Sequence, residues 1–252
     1  MTVHRLVKRF YPESEILGYT FVDGTLAFYS SVRRVMGKNK NEKVLLDLGC
    51  GRGAYVLEAG KTDNYLAEAR NFKGEVKKVI GIDVDANAAS NPSLDEFHLL
   101  EIGKPWPLES SSIDVCICDY VVEHVENTAF FFSELYRVMK KQGTACFRTP
   151  NKFGYMPIIS SLVPNSLHAR VLKKVQPDRK EEDVFPVVYK CNTRATFHRL
   201  LKENGFNSYV LHYESEPNYL KFSYISFAFG YYLHKILPKP LKATLFAFAI
   251  KK

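Results

Sequence analysis

Asp47-Leu48-Gly49-Cys50-Gly51-Arg52-Gly53 follows directly on an apolar run and is the stretch of this chain best equipped for chemistry. Glycines at such a turn let the main chain bend tightly and let a ligand approach with no Cβ in the way. In an open α/β sheet, ligands settle beyond the carboxyl ends of the strands, where strand order reverses. A Gly-x-Gly-x-Gly turn alone is weak, because glycine turns are common. An acid two residues before the first glycine, between a strand and a helix, is more specific. The second group is Asp83, which ends the apolar run Val79-Ile80-Gly81-Ile82. A carboxylate there can accept both hydroxyl hydrogens of a ribose, which points to an adenosine-type ligand. Asp83 lies 34 positions after Gly49, beyond the ~20 of dinucleotide binders, and the excess fits extra chain around 64–77. The competing reading has Asp83 capping a helix that starts near Ala86.

These residues need a sheet to hold them. Short apolar runs recur at Val44–Leu48, Val79–Ile82, Phe97–Leu100, Ile113–Cys118 and Thr144–Phe147, with helix-like segments between them. The clearest is Ala129 to Lys140, where Phe131, Leu135 and Val138-Met139 recur at helical spacing. Continuous apolar strands separated by helices predict a parallel sheet covered on both faces. We therefore expect a Rossmann-like α/β fold, doubly wound around a mostly parallel seven-stranded sheet. Residues 1–42 read as a helical lead-in and 43–150 as the ligand-binding core. Prolines 150, 157, 164, 177 and 186 mark 151–192 as an insertion on the substrate side. Residues 193–252 complete the core, with Thr193 capping a helix to Asn204 and a strand over Phe206 to Tyr213.

Four ordered motifs carry a resemblance: the Asp47–Gly53 turn, Gly81-Ile82-Asp83-Val84-Asp85, Ser112-Ile113-Asp114-Val115 and Glu134-Leu135-Tyr136-Arg137-Val138-Met139. Together they resemble the class I S-adenosylmethionine (SAM)-dependent methyltransferases. The likeness runs from Lys43 to about Asn151 and is nearest to small bacterial-type enzymes acting on small molecules, lipids or glycans. Arg148-Thr149-Pro150-Asn151 and the segment from Asp183 to Thr193 are similar to members found among polysaccharide-biosynthesis enzymes. The resemblance implies SAM as cofactor. Asp47 and the backbone of Gly49, Cys50, Gly51 and Gly53 would hold its methionine end, and Asp83 its ribose. Val84 would pack on the adenine, with Glu101 or Ile102 near the adenine amino group. Asp119-Tyr120 would border the sulfonium. The chain departs from the family pattern at Glu101-Ile102, where Asp-Ala is common, and at Lys141-Gln142-Gly143, where Pro-Gly-Gly is usual.

The methyl of SAM is already electrophilic. A methyltransferase mainly aligns the acceptor in line with the S–CH₃ bond and, for a hydroxyl, removes its proton. His124, just after the fourth strand, is the candidate base, because histidine is the residue type suited to proton transfer near neutral pH. Helix packing or capping is its alternative role. Glu123 reads as a hydrogen-bonding support, and His168, Asp183 and Tyr189 as surface residues that can also face an acceptor.

The formal charge is +8, with lysines and arginines scattered. Nucleic acid is the weaker partner, because no Asn/Asp-Pro-Pro-Tyr motif or Pro-Cys pair is present. A small-molecule, sugar or lipid-linked acceptor and O-methylation are favoured. A scaffold that binds SAM without catalysis is the remaining alternative, and the intact glycines argue against it. Five cysteines lack metal-ligand spacing and read as buried apolar residues in a reducing compartment, with no metal. The N-terminus has no secretory h-region, and the apolar stretch Phe222–Leu233 is shorter than the ~20 residues of a spanning helix. The expectation is a cytoplasmic protein. The aromatics between Tyr219 and Phe248, flanked by lysines, are expected to complete the core, or else to form a lid or peripheral membrane contact.

Overall fold

The computed structural model describes residues 3–54, 65–155 and 187–252. Its centre is a sheet of β1 (Val44–Leu48), β2 (Lys78–Asp83), β3 (Glu96–Leu99), β4 (Ile113–Asp119), β5 (Met139–Pro150), β6 (Phe206–Tyr213) and β7 (Thr244–Lys251). The seven strands are ordered β3-β2-β1-β4-β5-β7-β6. β1 to β5 pair in parallel, and β7 runs antiparallel to both its neighbours. The sheet is the expected doubly wound, mostly parallel one. Strand order reverses between β1 and β4, so the loops after these two strands flank the crevice where such folds bind ligands.

Seven helices are described: α1 (Val3–Phe10), α2 (Ser14–Leu17), α3 (Gly24–Met36), α4 (Tyr65–Arg70), α5 (Thr128–Val138), α6 (Arg194–Glu203) and α7 (Tyr224–Ile236). The strands are apolar on both faces because both are covered. Leu46, Leu48, Cys116 and Cys118 pack with Phe132, Leu135 and Phe197 of α5 and α6. Leu45, Val115 and Ile117 pack on the other side with Phe28, Val32 and Met36 of α3. Alternate strand residues thus feed two separate cores. All five cysteines are free and buried within this packing.

Helix starts follow the capping chemistry. Asp23 accepts from the Leu26 N–H at 2.8 Å, Asn127 from Phe130 at 3.1 Å and Thr193 from Thr196 at 3.2 Å. The turn expected over Lys141-Gln142-Gly143 is instead absorbed into β5. Ile113 pairs with Met139 but Val115 with Thr144, so the intervening residues bulge out, with Gln142 at φ 63°. The late aromatic stretch divides in two. Leu245, Phe246 and Ala247 lie in the core on β7, whereas α7 is a surface helix. Most of the predicted insertion, with His168 and Asp183, lies outside the described residues.

Candidate active site

The crevice is built from the ends of β1, β2 and β4. After β1 the chain turns at Gly49, whose φ is 73° and whose N–H donates to the Ile82 carbonyl at 2.8 Å. A Cβ there would collide with the Val121 side chain, so the turn after β1 and the turn after β4 fit together only around a glycine. Gly51, at φ 52°, is different: among the described residues an added Cβ would meet nothing within 4 Å, and its N–H lies on Asp83. Gly53 completes the turn at φ 66°. The Asn91 amide clamps this loop by donating to the carbonyls of Cys50 and Gly51 at 3.0 and 3.1 Å. Cys50 offers only backbone here, since its buried thiol lies against Gly81 of β2.

Asp83 stands where the sequence placed it, at the end of β2. One carboxylate oxygen accepts from the Gly51 N–H at 2.8 Å and the other from Asp85 at 2.9 Å. The cap of the following 3₁₀ turn is Asp85, which accepts from Asn87, so Asp83 is not a helix cap. Val84, next in the chain, is 42% exposed, and Ile102 in the loop after β3 is 86% exposed. That loop is tied to the end of β2 through the Leu100 N–H on the Asp83 carbonyl at 2.7 Å. Val84 and Ile102 are thus uncovered apolar side chains on the loops that leave the adjacent ends of β2 and β3. Glu101 points its charge elsewhere, pairing with Lys104 at 2.5 Å.

Asp47 lies near the end of β1, half-buried, and its carboxylate makes no hydrogen bond to the described residues. Burial pushes its carboxyl up to about 7, helped by Asp119 and Asp83 and opposed by Arg70. A desolvated carboxylate among other acids is a natural receptor for a cation. Asp119 is already engaged. Its two oxygens accept from Arg148 Nε and Nη2 at 2.7 Å each, and Tyr29 donates to it at 3.0 Å. Arg148 also donates to Thr25 at 2.9 Å, so this buried ion pair ties α3 to the carboxyl ends of β4 and β5. Asp119 therefore borders the crevice as a fixed wall. Tyr120, at φ 58° and 42% exposed, lies over the Arg148 guanidinium at 4.9 Å.

His124 sits in the 3₁₀ turn that follows, half-buried, with Nε2 4.0 Å from a Glu123 oxygen. Glu123 is buried and structural. Its carboxylate accepts from Thr149 at 2.8 Å, and its carbonyl accepts from the Val188 and Tyr189 N–H groups at 2.8 and 3.2 Å. Tyr189 is thereby brought to this side of the sheet rather than left on a distant surface.

Sequence reasoning missed a second group on the same edge. Both Pro150 and Tyr213 pair with Thr244, so the chain leaving β6 emerges beside the end of β5. There Tyr155 donates to His234 Nε2 at 2.7 Å, and His234 Nδ1 donates to the Ser215 carbonyl at 2.9 Å. Glu214 is 3.7 Å from the same imidazole, and burial pushes its carboxyl up to about 7. Burial also raises Tyr155 and Tyr189, with Glu214 the next contributor at the first and Glu123 at the second. The Tyr219 hydroxyl adds to both. No spacing could have joined these residues, which come from four separate segments. Arg148 was more legible, as a cation directly after the apolar run Thr144–Phe147.

The comparisons agree with this geometry. Residues 23–211 match a family described as a methyltransferase domain. A protein of Mycolicibacterium smegmatis named a probable S-adenosylmethionine-dependent methyltransferase is 31% identical over 131 residues, 49% of this chain and 48% of that protein. This chain spans about half the length of the curated relatives it matches. A SAM-dependent methyltransferase from Archaeoglobus fulgidus has the same fold, with a TM-score of 0.52, 17% identity and coverage of 91% and 95% of the two chains. Geranyl diphosphate C-methyltransferase from Streptomyces coelicolor, solved with S-adenosyl-L-homocysteine, gives 0.50 at 16% identity, covering 90% of this chain and 79% of that one. With the glycine turn, Asp83 and the reversal point in their places, this chain belongs to the class I SAM-dependent methyltransferase family.

Proposed function

We propose that this protein transfers the methyl group of SAM to a hydroxyl of a small-molecule, sugar or lipid-linked acceptor. The observation that carries the reading is the pairing of open main chain at Gly51 with two carboxylates of different character. Asp83, whose two oxygens each accept from one backbone N–H, would use their remaining lone pairs for the ribose hydroxyls. Asp47, whose desolvated carboxylate makes no hydrogen bond to the described residues, would take the ammonium of the methionine moiety. Val84 and Ile102 would flank the adenine, and Tyr120 would stand by the sulfonium. The acceptor would enter from the side of Tyr155, Tyr189 and His234. His124, in the turn after β4, would serve as the base, and alignment would supply most of the acceleration.

Calorimetry with SAM and with its demethylated product tests the cofactor half. Micromolar dissociation constants are expected, and no heat with either ligand overturns it. Methyl incorporation from labelled SAM into a panel of hydroxylated sugars, lipids and RNA tests the acceptor half. Incorporation into RNA alone, with steep salt dependence, would replace the small-molecule reading. With an acceptor in hand, His124→Gln is expected to lower kcat by about 10²-fold or more while leaving SAM affinity unchanged. Unchanged kcat would remove His124 from the mechanism.

A further inference from the structure

We infer that α7 is an interfacial helix through which the protein docks on the surface of an anionic lipid bilayer. On a helix of 3.6 residues per turn, Ile225, Phe229, Tyr232 and Ile236 fall within an arc of about 60°. They are 81%, 63%, 61% and 79% exposed. The opposite face is the one the body of the protein uses. Phe227 and Tyr231 pack against Phe10 at 5.4 and 5.0 Å, Gly230 lies under Leu220 and Pro217, and His234 bonds Tyr155. The exposed stripe therefore points away from the residues that α7 packs on and is not spare core surface. Exposed single apolar residues are ordinary on proteins. Four in register on one helix, two of them aromatic, mark a contact surface.

Charge decides the occupant. From residue 217 to the end the chain has six lysines and no aspartate or glutamate. Lys235 lies over Tyr231 at 4.1 Å, on the flank of the stripe, and Lys239 is exposed just beyond the helix. An apolar face flanked by Lys235 and Lys239, on a stretch of chain with no acid of its own, complements anionic headgroups, whose field attracts lysines held near the surface. A second copy fits less well, because a two-fold contact through this face would bring like-charged rims together. α7 has 13 residues, and no described helix is long and apolar enough to cross a membrane, so the contact is peripheral. Because α7 also holds His234 beside the proposed acceptor entrance, docking would present that entrance to molecules dissolved in or tethered to the bilayer.

The test is flotation of the whole chain with vesicles of phosphatidylcholine containing 30% phosphatidylglycerol, against pure phosphatidylcholine. It needs neither methyl donor nor acceptor, so its outcome is independent of the proposed reaction. Binding to the anionic vesicles is expected, weakened about 10-fold or more at 0.5 M salt. The combined variant Ile225→Ser, Phe229→Ser and Ile236→Ser should lose partition by about 30-fold or more. Because these side chains are exposed, its circular dichroism should match the parent. Lys235→Glu with Lys239→Glu reads the charge arm separately and should also weaken binding. No flotation of the parent, or unchanged flotation in both variants, overturns the inference. So does a concentration-dependent dimer, seen by light scattering, that the triple variant abolishes while vesicles are ignored.

Discussion

If Asp47 receives the donor's ammonium, the affinity for SAM must fall as the pH drops through about 7, where burial has placed its carboxyl. The sign follows from linkage: the cation binds the ionised carboxylate, and protons compete for it. At pH 7 about half of the Asp47 side chains are ionised, and at pH 5 about one in a hundred. The dissociation constant should therefore rise about 50-fold between these values, and about half a proton should be released per SAM bound at pH 7. The α-amine of the ligand, with a reference value near 7.7–8.0, is about 85–90% protonated at pH 7 and fully so below it, so it offsets only about 0.1–0.2 of that proton and little of the slope. Calorimetry at pH 5, 6 and 7, repeated in two buffers of different ionisation enthalpy, measures both quantities. Glu214 titrates in the same range, so Glu214→Gln is the control and should keep the slope. Asp47→Asn should bind more weakly at pH 7 and show a flat profile. A dissociation constant that stays within about twofold from pH 7 to 5, or a slope that survives in Asp47→Asn, refutes the reasoning.

Three further outcomes follow from the same geometry. Asp83→Ala should weaken SAM by about 10²-fold, through two lost charge-assisted hydrogen bonds of roughly 1.5 kcal/mol each; equal affinity in calorimetry would misplace the ribose. Gly49→Ala should destabilise the fold by about 2–4 kcal/mol in urea denaturation, since its φ of 73° and the Val121 side chain both oppose a Cβ. Adding Val121→Ala should restore only the steric part. Arg148→Met leaves the Asp119 carboxylate buried and unpaired and should cost about 3–5 kcal/mol, whereas Arg148→Met combined with Asp119→Asn should cost less than that single change. An additive double mutant would show that the pair is not coupled.

Residue types and short-range order were sufficient for the sheet and for the strand-end positions of Asp47, the glycines and Asp83. Apolar runs such as Val44–Leu48 and Ile113–Asp119 are strands because both faces must be buried, and that requirement is written in consecutive residues. Asp47, the glycines and Asp83 each sit at the end of a strand, so their place is set by local chain geometry. What depends on segments far apart was decided only by tertiary packing. The sequence shows Asp119 as an available acid, yet Arg148, 29 residues on, and Tyr29, 90 residues before it, occupy both its oxygens. It shows Tyr155, Glu214 and His234 as unrelated residues, and only the pairing of β5, β7 and β6 gathers them at one edge. The aromatics of α7 looked alike in the chain. Burial of one helical face against Phe10 and exposure of the other separated the ones that hold the fold from those left for a partner. Local sequence encodes the direction of a strand and the tightness of a turn. Which side chains spend their polarity or apolar surface on each other is a property of the assembled fold.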